Sequence, residues 1–480
     1  MEDTLKTKKV PMKTKIGYGV GGSCDTIPYY LFGTYFMFFL TDAVGIPAGI
    51  AGTISFIAII CQAISGPVVA YISDNSLNPK GRRRPMMIKV AIPFAIVTMF
   101  LFFPVGGSLG FKVAYYTVLA ILFFTCYASF TSVWSALGAE MTKDYKERNT
   151  LRSIVAYSAF PFTLIVASGT IGMVGIFSSS GVDYALSWFF AVVVLGLIMA
   201  GCSIWCYLST SEEPPAYTQE EIEKIRGERF SFVKLIKDYV GFFKIKIYRK
   251  MIIFTVIFCI GYIMMNNGTV YAMTSFCGMS EAQQSLFWTL NTIIALATVP
   301  IVFGIANKWD KKMAMMTFIG AYGVSSVVWF ALGMVMDITF VSFVLFSGVV
   351  ALGSCAFYSL MYSLLYDCCD VYTLATGEQK EGGMLALNYL AQTVGGAIAA
   401  LFLGWGLQLF GYTEAAAVTE LAAKGVWSMV TIVPAVFVFL SMVFLAQYNL
   451  SKTEFDKVQA AIEDRKAGKE VDLEQFKHLI

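Results

Sequence analysis

Long apolar runs separated by short polar breaks dominate the chain. Stretches free of Asp, Glu, Lys and Arg cover 43–73, 90–111, 113–139, 153–182, 184–211, 251–280, 282–307, 313–336, 338–366, 382–413 and 425–451. A helix needs about 20 such residues to cross a bilayer, and the shortest of these runs holds 22. A twelfth run, 16–41, is broken only by Asp25. The pattern predicts an all-α integral membrane protein of twelve transmembrane helices. The one long polar interruption opens at Ser211 with Glu212-Glu213-Pro214-Pro215 and closes near Lys250 in a Lys/Arg-rich stretch. It divides the chain into a tail (1–15), a six-helix bundle (16–210), a central loop (211–250), a second six-helix bundle (251–450) and a C-terminal tail (451–480).

An internal match points to duplication. Pro67-Val-Val-Ala-Tyr-Ile-Ser-Asp74 closes helix 2, and Pro300-Ile-Val-Phe-Gly-Ile-Ala-Asn307 closes helix 8. A basic loop follows each. Two pseudo-symmetric halves facing a central cavity form a secondary-transporter architecture.

Charge then sets orientation. With a cytoplasmic N-terminus, the tails and the loops on that side carry 33 of the 35 Lys and Arg residues, leaving only Lys112 and Lys424 outside. Positive residues stay inside, so both termini are expected in the cytoplasm and the protein in a plasma or inner membrane. The N-terminal tail shows no cleavable signal pattern.

Composition narrows the chemistry. Charged residues make up 14% of the chain, against roughly 25% in soluble proteins, which rules out a water-soluble fold. A single histidine, His478, sits in the tail, so no histidine-built metal or acid–base site is expected. Net charge is +3, too small to suggest nucleic-acid binding. The expected partners are a small solute, a coupled proton, and membrane lipid at the basic loops. No nucleophile–base pair, metal constellation or nucleotide-binding loop stands out, so neither an enzyme, nor a cofactor, nor ATP-driven transport is expected.

Charged residues at membrane depth are functional candidates by default. Asp25 is the one carboxylate well inside a run; Glu140, Asp367 and Asp370 lie at helix ends. Uncharged polar candidates for a solute site are Thr26 and Tyr29 in helix 1, Gln62 in helix 2, Thr131 and Trp134 in helix 4, Asn266 in helix 7, Asn291 in helix 8, and Asn388, Gln392 and Thr393 in helix 11. Asn388 and Gln392 are four apart and share a helix face. Interhelical amide hydrogen bonding is the competing use of such residues. Gly395-Gly396 and Gly404-Trp405-Gly406 read as close-packing points.

Several motifs together carry a resemblance. Helix 1 opens Lys15-Ile-Gly-Tyr18-Gly19-Val-Gly21 and closes Phe39-Leu40-Thr41-Asp42-Ala-Val-Gly45; helix 2 opens Gly49-Ile-Ala-Gly52-Thr53. Loop 2–3 carries Gly81-Arg82-Arg83-Arg84-Pro85, and loop 4–5 reads Glu140-Met-Thr-Lys-Asp144-Tyr-Lys-Glu147-Arg148. Helix 10 ends Asp367-Cys-Cys-Asp370-Val-Tyr372, followed by Gly377-Glu-Gln-Lys-Glu381-Gly382. Up to about Asn449 the chain resembles the glycoside–pentoside–hexuronide:cation symporter family, the melibiose-permease-like branch of the major facilitator superfamily. The resemblance implies that fold, and a cytoplasmic gate at Asp74, Arg82, Arg84, Asp144, Arg148 and Asp370.

The departures from the family are as informative. Its cation site uses two carboxylates one turn apart on helix 2, before a proline; here Gln62 and Gly66 precede Pro67. A hard cation wants several oxygens with compensating negative charge, so a family-type sodium site is expected to be absent or badly weakened. The family's sugar-site carboxylate on helix 4 falls near Phe130 or Thr131, its Arg on helix 5 at Val155 or Ala156, with Arg152 a turn away, and its Lys on helix 11 at Thr393. The helix 1 acid corresponds to Asp25, or, counted from Thr41-Asp42, to Thr26. Intramembrane carboxylates serve proton relays, so a proton through Asp25, or no coupled ion, is expected in place of sodium. The leading expectation is a secondary transporter of a sugar, glycoside or related small solute. The alternatives are a carrier of an amphipathic or lipid-like solute on the same fold, and a transport-inactive membrane sensor.

Overall fold

The computed structural model describes residues 10–76, 78, 81–142, 144–211, 231–466, 469 and 473–480. Most of the N-terminal tail and residues 212–230 of the central loop lie outside them. The described residues are helical, with no strand among them. Among the described residues, eleven segments are long and apolar enough to span a membrane. Helix 2 is Ala48–Asp74, helix 3 Arg84–Leu101 and helix 4 Leu109–Glu140. Helix 5 runs Tyr145–Ala167 and on through Gly169–Ser179, and helix 6 is Tyr184–Ser209. Helix 7 is Lys246–Tyr271, helix 8 Glu281–Lys308, helix 9 Lys311–Val335, helix 10 Phe340–Thr376 and helix 11 Glu381–Leu409. Helix 12 comprises Glu420–Val430 and Ile432–Ala446.

The twelfth expected span, helix 1, is helical but broken. It consists of Met12–Gly21, Ser23–Tyr30 and two wide π turns, Leu31–Phe36 and Phe39–Ala43. The causes are local. Gly21-Gly22 gives the backbone no side chain to stiffen it. Pro28 has no N–H to give to the preceding turn, and the first π turn begins three residues later. Elsewhere helix ends follow side-chain chemistry. Asp183 caps helix 6 by accepting from the amides of Ala185 and Leu186, and Thr339 caps helix 10 by accepting from Ser342. Helix 10 stops at Gly377, whose φ of 78° is the left-handed conformation that favours glycine.

The chain forms two compact units. The first comprises Met1–Phe230, Met279–Thr289 and Thr413–Ala417; the second Ser231–Gly278, Leu290–Tyr412 and Val418–Ile480. The first is centred on fully buried Trp188, ringed by Tyr35, Phe38, Phe39 and Phe102. In the second, Trp427 stacks on Phe276 at 4.7 Å and donates its indole N–H to the Trp329 carbonyl at 3.1 Å.

Two polar-end elements complete the second unit. A short amphipathic helix, Phe232–Phe242, presses Phe242 against Tyr372 at 5.3 Å and leaves Val233, Ile236 and Val240 uncovered. The tail helix Lys452–Lys466 buries Val458, Ala461 and Ile462. The last residues then return to the start of helix 7, where Leu479 and Ile480 carbonyls accept from the amides of Ile247 and Lys246, each at 3.1 Å.

Candidate functional site

In the first unit the site is built around Asp25. The break at Gly21-Gly22 starts a new helical segment, and Asp25 falls in its first turn. The Tyr127 hydroxyl, on helix 4, donates to Asp25 Oδ1 at 2.8 Å. Tyr127 is itself buried, so the pair is a fixed contact between two helices. Tyr127 was not among the sequence candidates. It lies one turn before Thr131, which was, and that shared face was the available signal. The Thr131 hydroxyl donates to the Tyr127 carbonyl at 2.9 Å.

The remaining first-unit candidates divide by environment. Trp134 is a packing residue here: its indole N–H donates to the Tyr18 carbonyl at 3.1 Å, and Tyr18 returns its hydroxyl to the Trp134 carbonyl at 3.2 Å. The two rings stack at 5.1 Å. Thr26 is buried, whereas Tyr29 is uncovered and meets Tyr30 edge-on at 5.8 Å. Gln62 is buried within helix 2. One turn on, a Cβ added at Gly66 would meet nothing within 4 Å. The helix 2 position therefore has room for a side chain and lacks one. Gln62 offers a neutral amide and Gly66 no ligand, which does not fit a hard cation. Among the described residues no cluster of three or more His, Cys, Asp or Glu could hold a metal ion.

In the second unit Asn388 and Gln392 part company. Asn388 is fully buried and accepts from the Thr255 hydroxyl of helix 7 at 3.2 Å. Its Nδ2 has no hydrogen-bond partner among the described residues. This is an interhelical hydrogen bond, the competing use considered for such amides, and it sets Asn388 apart from a solute-facing position. Gln392 is half-uncovered and donates to the Tyr362 hydroxyl at 3.5 Å. The Thr393 hydroxyl is spent on its own helix, at the Tyr389 carbonyl. Asn266 and Asn291 are both half-buried.

The residues assigned to a gate form local networks. Arg82 and Arg83 converge on one oxygen of Glu140, at 2.8 and 3.2 Å. Arg83, the more buried, also donates to Ser73 Oγ at 2.6 Å. Arg84 donates to the Tyr207 carbonyl at 2.8 Å and lies 4.2 Å over the Tyr207 ring. Asp144 caps helix 5 at the Glu147 amide, 2.8 Å, while Arg148 donates to the Thr142 carbonyl at 2.8 Å. Lys15 pairs with Glu147 at 2.7 Å. In the second unit Asp370 accepts from Gln459 of the tail helix at 2.7 Å, and Lys311 faces Asp367 at 3.4 Å. Lys380, in loop 10–11, is held by Glu378 at 3.0 Å and Asp238 at 3.2 Å. These two hydrogen bonds push its pKa above the usual lysine range. The Asp74 side chain lies outside the described residues. Arg83 and Glu140 stand in the quoted motifs but not in the gate assignment, and Gln459 stands in neither.

The profile of the MFS/sugar transport protein family matches residues 17–452. The chain belongs to this family of the major facilitator superfamily. It is similar to the isoprimeverose transporter of Lactiplantibacillus pentosus, at 23% identity over 95% of this chain and 92% of that one. A putative 2,3-dihydroxypropane-1-sulfonate exporter of Salmonella typhimurium is 24% identical over 96% and 97%. Among solved structures, a bacterial homologue of the human lysosomal transporter Spinster superposes with a TM-score of 0.65 at 12% identity, covering 91% of this chain and 95% of that one. That likeness shows the fold. The major facilitator protein described here is thus a multi-pass membrane protein and a secondary transporter, not an enzyme.

Proposed function

We propose that this transporter carries a neutral glycoside or related small polar solute across the cytoplasmic membrane, and that its coupling ion is a proton held at Asp25. The observation that carries the reading is the Asp25–Tyr127 pair. It joins the only carboxylate well inside a span to a neutral hydroxyl donor, at a depth where such acids serve proton relays. Gln62 and Gly66 speak against sodium, for the ligand chemistry given above. The isoprimeverose transporter and a putative glycoside/cation symporter of Escherichia coli among its relatives support a glycoside as the solute. The 33 of 35 Lys and Arg on one side support both termini in the cytoplasm. Alternating access of the two bundles is the mode of transport expected of this architecture.

The test is Asp25→Asn in reconstituted vesicles loaded and challenged with glycosides. Concentrative uptake is lost while counterflow of labelled solute survives. Wild-type accumulation by this variant contradicts a proton role for Asp25.

A further inference from the structure

Helix 11 changes its uncovered face part-way along. Near its start Tyr389 is 52% exposed, and near its end Phe402, Trp405 and Leu409 are 49%, 48% and 84% exposed. At 3.6 residues per turn those three lie roughly 160–220° around the helix from Tyr389. Phe402, Trp405 and Leu409 suit the hydrocarbon side. The opposite face, with Tyr389, is then turned away from lipid.

The depth is that of the membrane interior. Tyr389 and Gln392 lie eight and eleven residues into helix 11, about 12 and 16 Å along it at 1.5 Å per residue, within a hydrocarbon core about 30 Å thick. Polar side chains this exposed at that depth sit better against a cavity than against lipid. Gln392 Nε2 donates to the Tyr362 hydroxyl of helix 10, so Tyr362 shares this face. Tyr366, one turn further along helix 10, is 48% exposed. Among the described residues, this face of the second unit thus holds three uncovered phenol rings and one half-uncovered amide. The acids beyond them are engaged elsewhere, Asp367 with Lys311 and Asp370 with Gln459.

We infer that Tyr362, Tyr366, Tyr389 and Gln392 form a ring-stacking subsite for the aglycone of a glycoside, and that the preferred substrate carries an aromatic or ring-shaped aglycone. Tyrosine faces take flat apolar rings by offset or edge-on packing. A mostly aromatic lining with one placed polar group is the ordinary composition of a small-molecule site. This deepens the glycoside reading and rests on it.

The experiment compares matched probes on the purified full-length protein: methyl and 4-nitrophenyl glycosides of the same sugar, over several sugars, as competitors of uptake and as ligands in tryptophan-fluorescence titrations. The nitrophenyl member of a pair binds about three- to tenfold tighter, the range expected of a good aromatic contact. Tyr389→Ala collapses the aryl-to-methyl ratio toward one, whereas Tyr389→Phe keeps it. Equal affinities within every pair in the wild type, or a ratio unmoved by Tyr389→Ala, overturn the subsite and leave the glycoside reading standing. Absence of binding and uptake for both members of every pair overturns the glycoside reading, and the subsite with it.

Discussion

Asp25 was legible from the sequence because a lone carboxylate in an apolar run has no cheap structural use. Its partner was not, because Tyr127 is one of 25 tyrosines and only the packing of helix 1 on helix 4 singles it out. The polar amides divided for the same reason. Asn388 and Gln392 sit one turn apart, yet one is sealed against helix 7 and the other is half-uncovered. Spacing places residues on a face; it does not tell which edge of that face a neighbour covers. The missing helix 2 carboxylates are the sharpest residue-scale test. Because a Cβ at Gly66 meets nothing within 4 Å, Gly66→Asp starts from open space, and Gln62→Asp shortens the side chain it replaces. The double variant is expected to acquire sodium-dependent uptake, since paired carboxylates supply the charge that a hard cation needs. Uptake that stays indifferent to sodium, from a variant that still carries solute, would show that helix 2 does not face the coupling site.

At the scale of elements, eleven helices followed from charge-free length alone, whereas the form of helix 1 did not. Its apolar run reads as one span, but Gly21-Gly22 and Pro28 break it into segments, and that break puts Asp25 at a fresh helix start. The glycine pairs were legible in kind. At Gly395 an added Cβ would come within 2.8 Å of Cys259 Cβ and 2.9 Å of the Val256 carbonyl, both on helix 7. At Gly396 it meets the tip of Ile263 at 3.2 Å, which a rotamer change can relieve. Gly395→Ala should therefore destabilise the protein by about 1–3 kcal/mol through overpacking against backbone, with Gly396→Ala milder. Thermal unfolding in detergent checks the order; equal melting temperatures for the two variants would mean helices 7 and 11 separate at little cost.

Fold class was the most legible property of the whole molecule, because exclusion of charge from hydrocarbon acts on every residue of every span. Motifs at the loops carried the family, and the family profile over 17–452 bears this out. The tail was less legible: its charge-mixed helix gave no sign that Gln459 would reach Asp370 or that the last residues would pair with the start of helix 7. Such contacts join positions far apart in sequence and leave no periodic trace. The central claim is that solute movement is tied to a proton at Asp25. Its most direct test is the pH inside sealed vesicles, read by a trapped dye while a glycoside panel is added with and without sodium. The account predicts sodium-independent acidification with at least one glycoside in the wild type and none in Asp25→Asn. Acidification that persists in the variant, or glycoside uptake that requires sodium and moves no protons, would contradict it.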